Sequence, residues 1–157
     1  MIEGRQTAAY DRDLVVFVIG FRVNKLRAFR EWLPVARAMG PMLRELVADK
    51  DSGLLGFRTF PGLRTTTMLQ YWESAEKLQA FANDPDRAHR PAWTNFFKYA
   101  YQGNNVGIYH ETYVVPAGHT ETIYGNMPLT GLGKVAGVIP VNKRGQTAAE
   151  RLGQSQV

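Results

Sequence analysis

The stretch Leu14–Phe21 constrains the fold more than any other part of this sequence, because it is apolar at almost every position. β-Branched and aromatic side chains dominate it, and these residues favour a β-strand. A strand with one solvated face alternates between apolar and polar residues, whereas this stretch is apolar on both faces. We therefore expect helices on one side of its sheet and a second apolar layer on the other.

Helix and strand patterns alternate after this stretch. Apolar residues recur at steps of three and four between Lys25 and Asp49, which predicts a helix. Pro34 and Pro41 inside it predict a kink or a split into two helices. The remaining predicted elements are strands at Leu54–Phe60 and Thr65–Trp72, a helix at Ala75–Ala82 with Ser74 as its N-cap, a second helical stretch at about Asp86–Tyr101, and a strand at Val106–Val115.

This β-α-β-β-α-β order is that of a ferredoxin-like α+β fold. We predict that residues 14–118 form the domain, that residues 1–13 are a flexible N-terminal arm, and that residues 119–157 are an extended C-terminal tail wrapping the domain or a partner subunit. The tail carries one short helical pattern, at Ala148–Leu152. Because the helices cover one face of the sheet, we predict a homodimer in which a second copy covers the other. Such a dimer leaves a cavity between sheet and helices in each subunit.

Composition excludes several classes of protein. A chain of 157 residues, of which 45% are hydrophobic, is long enough for one domain with its own core. It has no cysteine, which excludes disulfides, zinc–thiolate sites and a cysteine nucleophile. No apolar run reaches the roughly 18 residues of a membrane span, and the start lacks a signal-peptide pattern, so we expect a cytoplasmic protein. The net charge of +5 comes from dispersed basic residues without a nucleic-acid motif, so no nucleic-acid partner is expected.

Two sets of residues resemble known families. The segment Trp72–Phe81, followed by His89 and Trp93, is similar to the second-helix signature of the dimeric α/β-barrel superfamily. That superfamily contains antibiotic-biosynthesis monooxygenases, haem-degrading monooxygenases and haem-containing aldoxime dehydratases. A closer resemblance, over nearly the whole chain, is to a family of monooxygenase-like proteins. It rests on Val23–Lys25, Trp32–Pro34, Asp51–Gly56, Pro85–Trp93 and His110–Tyr113.

His89 is the first candidate for a catalytic residue. It lies near the start of a predicted helix, where the helix dipole and apolar neighbours favour a neutral imidazole. A general base or an iron ligand must be neutral, and the resemblance to the haem-degrading enzymes implies that His89 holds the haem iron. His110, on the last predicted strand, is the second candidate, and a purely structural role stays open for both. No other metal site is predicted, because the histidines are dispersed and lack paired carboxylates.

The cofactor-independent monooxygenases of the superfamily offer a second comparison. In them an asparagine on the first strand and a tryptophan at the end of the third take part in binding substrate and oxygen, and Asn24 and Trp72 match these positions. Arg22 would stabilise the substrate anion. Such enzymes oxidise phenols whose anions reduce oxygen directly, so that the protein need only deprotonate and desolvate them. The aromatic residues expected to line the substrate pocket, with plain core packing as the alternative, are Trp93, Tyr71, Tyr109 and Phe57.

These observations together predict a small-molecule oxidoreductase. We expect a monooxygenase that acts on a hydrophobic or aromatic substrate, either without a cofactor or with haem b bound through His89. Two alternatives stay open. One is a haem-dependent dehydratase resembling the aldoxime dehydratases, and the other is a non-catalytic protein that binds a small ligand in the same cavity.

Overall fold

The fold is seen in a computed structural model that describes residues 2–85, 94, 96–97 and 102–153. Most of the helical stretch predicted at 86–101 therefore lies outside the described residues. None of the helices in the described part is long and apolar enough to cross a membrane. The elements are β1 (Gln6–Ala8), β2 (Leu14–Val23), α1 (Phe29–Ala48), β3 (Leu54–Pro61), β4 (Thr65–Trp72), α2 (Ala75–Asn83), β5 (Val106–Val115), α3 (Gly131–Ala136), β6 (Val138–Pro140), a 3-10 turn (Val141–Lys143) and α4 (Ala148–Arg151).

Four strands form the main sheet, in the order β3-β4-β2-β5. Every neighbouring pair is antiparallel, so β2 and β3 run in the same direction with β4 between them. Helix α1 makes the connection from β2 to β3, which is the split β-α-β arrangement of ferredoxin-like folds. The predicted α+β ferredoxin-like fold is confirmed.

The register of β2 divides the sheet into two faces. Val15, Phe17 and Ile19 lie opposite Trp72, Gln70 and Met68 of β4, and these residues face α1 and α2. We call this side the helix face, and the side that carries Val16 and Val18 the outer face. The core of the helix face consists of Val15, Leu46, Trp72, Leu78 and Phe81.

The first helix is one continuous element despite two internal prolines. Pro34 and Pro41 both lie within α1, where the sequence predicts a kink or a split. Each proline removes one intrahelical hydrogen bond. Met39, Leu43 and Leu46, on either side of Pro41, nevertheless line one cavity against the sheet. Packing of this apolar stripe holds the segments together. Helix α2 begins as predicted, with the Ser74 hydroxyl accepting a hydrogen bond from the Lys77 backbone N–H at 3.2 Å.

The two ends of the chain cover part of the outer face. Strand β1 pairs antiparallel with β6, and Ala8 is completely buried. This differs from the expectation of a loose N-terminal arm, because the few apolar residues of that arm complete a core cluster. In this structure the tail lies over its own domain. The buried residues of the cluster are Ile2, Ala8, Tyr10, Leu14, Tyr124 and Leu132.

Candidate functional site

A small cavity of about 60 Å³, partly open to solvent, lies between the helix face and helices α1 and α2, and we call it the helix-face cavity. Almost all of the side chains that line it are apolar. Three of these side chains are methionines, which are flexible and can adapt to a ligand. One buried amide, that of Gln70, interrupts the apolar lining. Residues that characterise the cavity are Phe17, Met39, Met42, Met68, Gln70 and Trp72.

A chain of hydrogen bonds orients the Gln70 amide. Trp72 is fully buried, and its indole N–H donates to Gln70 Oε1 at 2.9 Å. Because an indole N–H can only donate, it fixes which end of the amide is oxygen. The Gln70 Nε2 group donates to Met68 Sδ at 3.3 Å. An amide NH₂ has two hydrogens, and the described residues provide no acceptor for the second.

Sequence reasoning missed Gln70, although a signal for it existed. Strand β4 places Met68, Gln70 and Trp72 on the same face, since side chains alternate along a strand. A polar residue between two buried apolar ones breaks the expected pattern. Burying an amide is costly unless it is hydrogen-bonded, so this position is a candidate for binding a polar atom of a ligand.

Asn24 and Arg22 do not lie near Trp72. The antiparallel register pairs Arg22 with the start of β4 at Thr65, whereas Trp72 ends that strand and pairs with Val15. At about 3.3 Å per residue, these positions are about 25 Å apart. The Asn24 amide instead donates to the Asn104 carbonyl at 3.3 Å, and Arg22 donates to the Thr65 hydroxyl at 3.2 Å. The structure thus separates the predicted Asn24–Trp72 pair.

His110 lies on the helix face of β5. Its ring centroid is 5.7 Å from that of Phe17, and its side chain is exposed. It borders an open groove of about 880 Å³, lined also by Phe96, Phe97 and Ile108. Phe17 also lines the helix-face cavity, so its ring borders that cavity and contacts His110 at the edge of the groove. His89 and Trp93 lie outside the described residues, so their roles stay predictions.

The other predicted pocket residues lie on different surfaces. Tyr71 is on the outer face beneath the tail, where burial raises its pKa. Tyr109 is also on the outer face, and its hydroxyl lies 2.7 Å from the Thr67 hydroxyl. Phe57 lines a groove along the edge strand β3. Of the described residues predicted for the site, only Trp72 lines the helix-face cavity.

The described residues do not form an enclosed haem site. The helix-face cavity, of about 60 Å³, is far smaller than the several hundred Å³ of pockets for large organic ligands. The groove beside His110 has the volume, but His110 is exposed there rather than enclosed. Among the described residues, no three His, Asp or Glu side chains are placed to hold a metal ion.

Residues 14–132 match the model of a protein family described as Monooxygenase af470-like. The chain is also similar to Monooxygenase af470 of Aspergillus fumigatus, with 29% identity over 149 residues. This alignment covers 90% of the chain and 52% of the fungal protein. The chain thus spans about half the length of this curated relative.

Two solved structures are also similar to the chain. One is SnoaB, a cofactor-independent oxygenase from Streptomyces nogalater, with 12% identity and a TM-score of 0.46 over 64% of this chain and 91% of SnoaB. The other is a dimeric protein of ferredoxin-like fold and unknown function from Bacteroides fragilis. It has 16% identity and a TM-score of 0.47, covering 66% of this chain and 98% of its own.

Proposed function

We propose that this chain, which belongs to the Monooxygenase af470-like family, is a monooxygenase that oxidises a hydrophobic phenolic molecule in the helix-face cavity without a cofactor. The observation that carries the proposal is the Gln70 amide. It is buried in an apolar cavity, it is oriented by Trp72, and one of its N–H hydrogens is not bonded within the described chain. A phenolate oxygen is an acceptor suited to that hydrogen.

The cavity would act on such an anion in two ways. A hydrogen bond from Gln70 Nε2 stabilises the phenolate oxygen, while Phe17 and Met68 exclude water from the ring. The electron-rich anion then reduces O₂ and combines with it at a ring carbon. For a ring CH₂ group, one oxygen atom becomes the new carbonyl and the other leaves as water, so that CH₂ and O₂ give C=O and H₂O.

A histidine would accept the phenolic proton. His110 contacts the cavity wall through Phe17, and His89 remains the candidate from the sequence. The helix-face cavity, of about 60 Å³, is too small for a molecule of several rings. Rotation of the Phe17 ring would connect it with the groove of about 880 Å³, which falls within the usual range for small-molecule sites.

Oxygen uptake with a panel of multi-ring phenols tests this proposal. We expect the protein to accelerate uptake above the spontaneous rate, and Gln70→Leu to reduce kcat about 10-fold or more. The matched control is Gln79→Leu, which removes an exposed amide on α2. Equal activity of the two variants, or the absence of any acceleration, would contradict the proposal.

We also propose a homodimer formed through the uncovered part of the outer face. Phe60, Tyr109 and Tyr113 are exposed there by 43%, 40% and 51%. The register places Arg58, Leu69, Val18 and Glu111 in one row across the strands, with a cation at one edge and an anion at the other.

This row of charges favours one symmetry. If two sheets pack face to face about a twofold axis parallel to the strands, Arg58 of each copy faces Glu111 of the other. An axis perpendicular to the strands would instead bring like charges together. We expect Arg58→Glu and Glu111→Arg each to weaken dimerisation in sedimentation experiments, and the double exchange to restore it. Arg37→Glu, on the exposed side of α1, is the control. Sedimentation as a monomer, or failure of the double exchange to restore the dimer, would refute this.

A further inference from the structure

A second large groove lies along the free edge of β3. It has a volume of about 810 Å³ and is bounded by β3, by the end of α1 and by the tail. We call it the tail groove. All of the residues 54–59 line it, which shows that it follows the strand edge and not one face of the sheet. The tail contributes residues 127–131 and 134–135 as the opposite wall.

The apolar part of the tail groove is exposed to solvent. Phe57, Met127 and Leu129 all line it, and they are exposed by 37%, 43% and 51%. Single exposed apolar residues are ordinary, but several that line one concave surface mark a binding site. The volume is in the usual range for small molecules.

Basic side chains dominate the charge of the same groove. Lys50, Arg58 and Lys134 line it, against one acidic residue, Asp49. The Asp49 carboxylate accepts a hydrogen bond from the Asp51 backbone N–H at 3.0 Å and so serves the turn after α1. Neither lysine forms an ion pair with another described residue. An excess of positive charge beside an apolar surface is complementary to an anion with an apolar body.

Arg58 is held in position at the rim of the tail groove. Its Nη1 donates to the Thr130 hydroxyl at 3.1 Å, and its guanidinium lies 4.7 Å from the centre of the Phe60 ring. This hydrogen bond ties the tail to β3 at the rim of the groove. A guanidinium has five N–H donors, so others remain for Glu111 of the second copy in the proposed dimer.

The tail wall is built against β3 and does not merely lie over it. A Cβ atom on Gly56 would be 2.6 Å from Val135 Cγ2, so α3 can approach the strand only where a glycine stands. The Tyr124 hydroxyl accepts a hydrogen bond from the buried Gly133 N–H at 2.9 Å, which holds α3 from its other side. The shape of the groove is therefore formed before any ligand enters.

We propose that the tail groove binds a free amphiphilic carboxylate, namely a fatty acid or an aryl acid. The apolar residues Phe57, Met127 and Leu129 would hold its body, and Lys50 and Lys134 its carboxylate. This site is separate from the helix-face cavity, and the proposal does not depend on the monooxygenase reaction.

Titration with cis-parinaric acid, whose fluorescence rises on burial, tests the proposal, with its methyl ester as the neutral comparison. We expect the acid to bind more tightly than the ester. The double variant Lys50→Gln/Lys134→Gln should weaken binding of the acid about fivefold to tenfold at low salt and leave the ester unchanged. All of these lysines are exposed, so folding should not suffer, and Lys25→Gln/Lys143→Gln keeps the same net charge as a control.

Three results would overturn the assignment. The first is equal affinity for the acid and the ester. The second is that the control double variant weakens binding of the acid as much as Lys50→Gln/Lys134→Gln does. The third is that the acid does not bind below its micelle concentration. Two further variants locate the ligand. Leu129→Trp should obstruct the tail groove and weaken binding of both the acid and the ester, whereas Gln70→Leu should leave binding of the acid unchanged. If Gln70→Leu weakens binding of the acid and Leu129→Trp does not, the ligand lies in the helix-face cavity and the proposal is refuted.

Discussion

Gly20 allows an aromatic ring to lie across the sheet. A Cβ atom at this position would be 2.4 Å from Tyr109 Cε1, closer than two carbon atoms can approach. The Tyr109 ring crosses above Gly20 and places its hydroxyl 2.7 Å from the Thr67 hydroxyl on the next strand. Gly20→Ala should therefore displace the ring and break this hydrogen bond.

The magnitude follows from three contributions. Overpacking costs about 1–3 kcal/mol, with the lower part of the range applying because Tyr109 is 40% exposed and can move. Loss of the hydrogen bond costs about 0.5–1.5 kcal/mol. Replacing glycine by alanine within a strand in itself stabilises the folded state by about 0.5–1 kcal/mol and offsets part of this loss. The free energy of unfolding should fall by about 1–2 kcal/mol.

Removal of the ring should abolish most of this cost. In a Tyr109→Ala background, the closest remaining atom is the Thr66 carbonyl oxygen, 3.0 Å from the added Cβ. A shift of a few tenths of an ångström relieves that contact, so Gly20→Ala should there change stability by close to zero. Urea unfolding of the four proteins measures the coupling. If Gly20→Ala costs the same in both backgrounds, to within about 0.3 kcal/mol, the packing argument is wrong.

Three further predictions concern buried polar groups. Gln70→Leu leaves the Trp72 N–H without its acceptor and should cost about 1–3 kcal/mol in urea unfolding, whereas an unchanged midpoint would contradict the hydrogen bond. Arg151→Met removes the bonds of a buried guanidinium to Glu121, whose side chain is 27% exposed, and should lower the free energy of unfolding by about 2 kcal/mol in urea unfolding, and by less at high salt, where the pair is screened. Burial raises the pKa of Tyr71 above 10.0, so the folded state keeps this proton longer than the unfolded state. The contribution of Tyr71 to the free energy of unfolding should therefore be constant below about pH 10 and be lost above it, so stability above pH 10 should fall less steeply in Tyr71→Phe than in the unchanged protein. Equal slopes in unfolding experiments would contradict this.

Local patterns were sufficient to predict the sheet. The apolar run of β2 and the alternation of β5 each follow from periodicity within one segment, and the structure places both in the sheet as expected. His110 lies on the helix face, and its neighbour Glu111 lies on the outer face, as the alternation indicates. The family resemblance drawn from short motifs is confirmed by the match over residues 14–132.

Long-range pairing limited the prediction of the site. Asn24 and Trp72 each lie at the end of a strand, and only the antiparallel register reveals that these are opposite ends of the sheet. Strand β1 has three residues, too few for alternation to distinguish a strand from a loose arm. Gln70 lies within a strand whose sequence is mostly apolar on this face, so the pattern predicts a strand and does not by itself indicate a site at this one polar residue.

The pairing of β1 with β6 has a consequence for synthesis on the ribosome. Gln6 bonds with a strand that includes Pro140, so this contact must wait until that strand has emerged. During translation the sheet and its helices can form first, while Leu14 and Val16 stay without their cover. We expect the nascent chain to be most prone to aggregation in that interval.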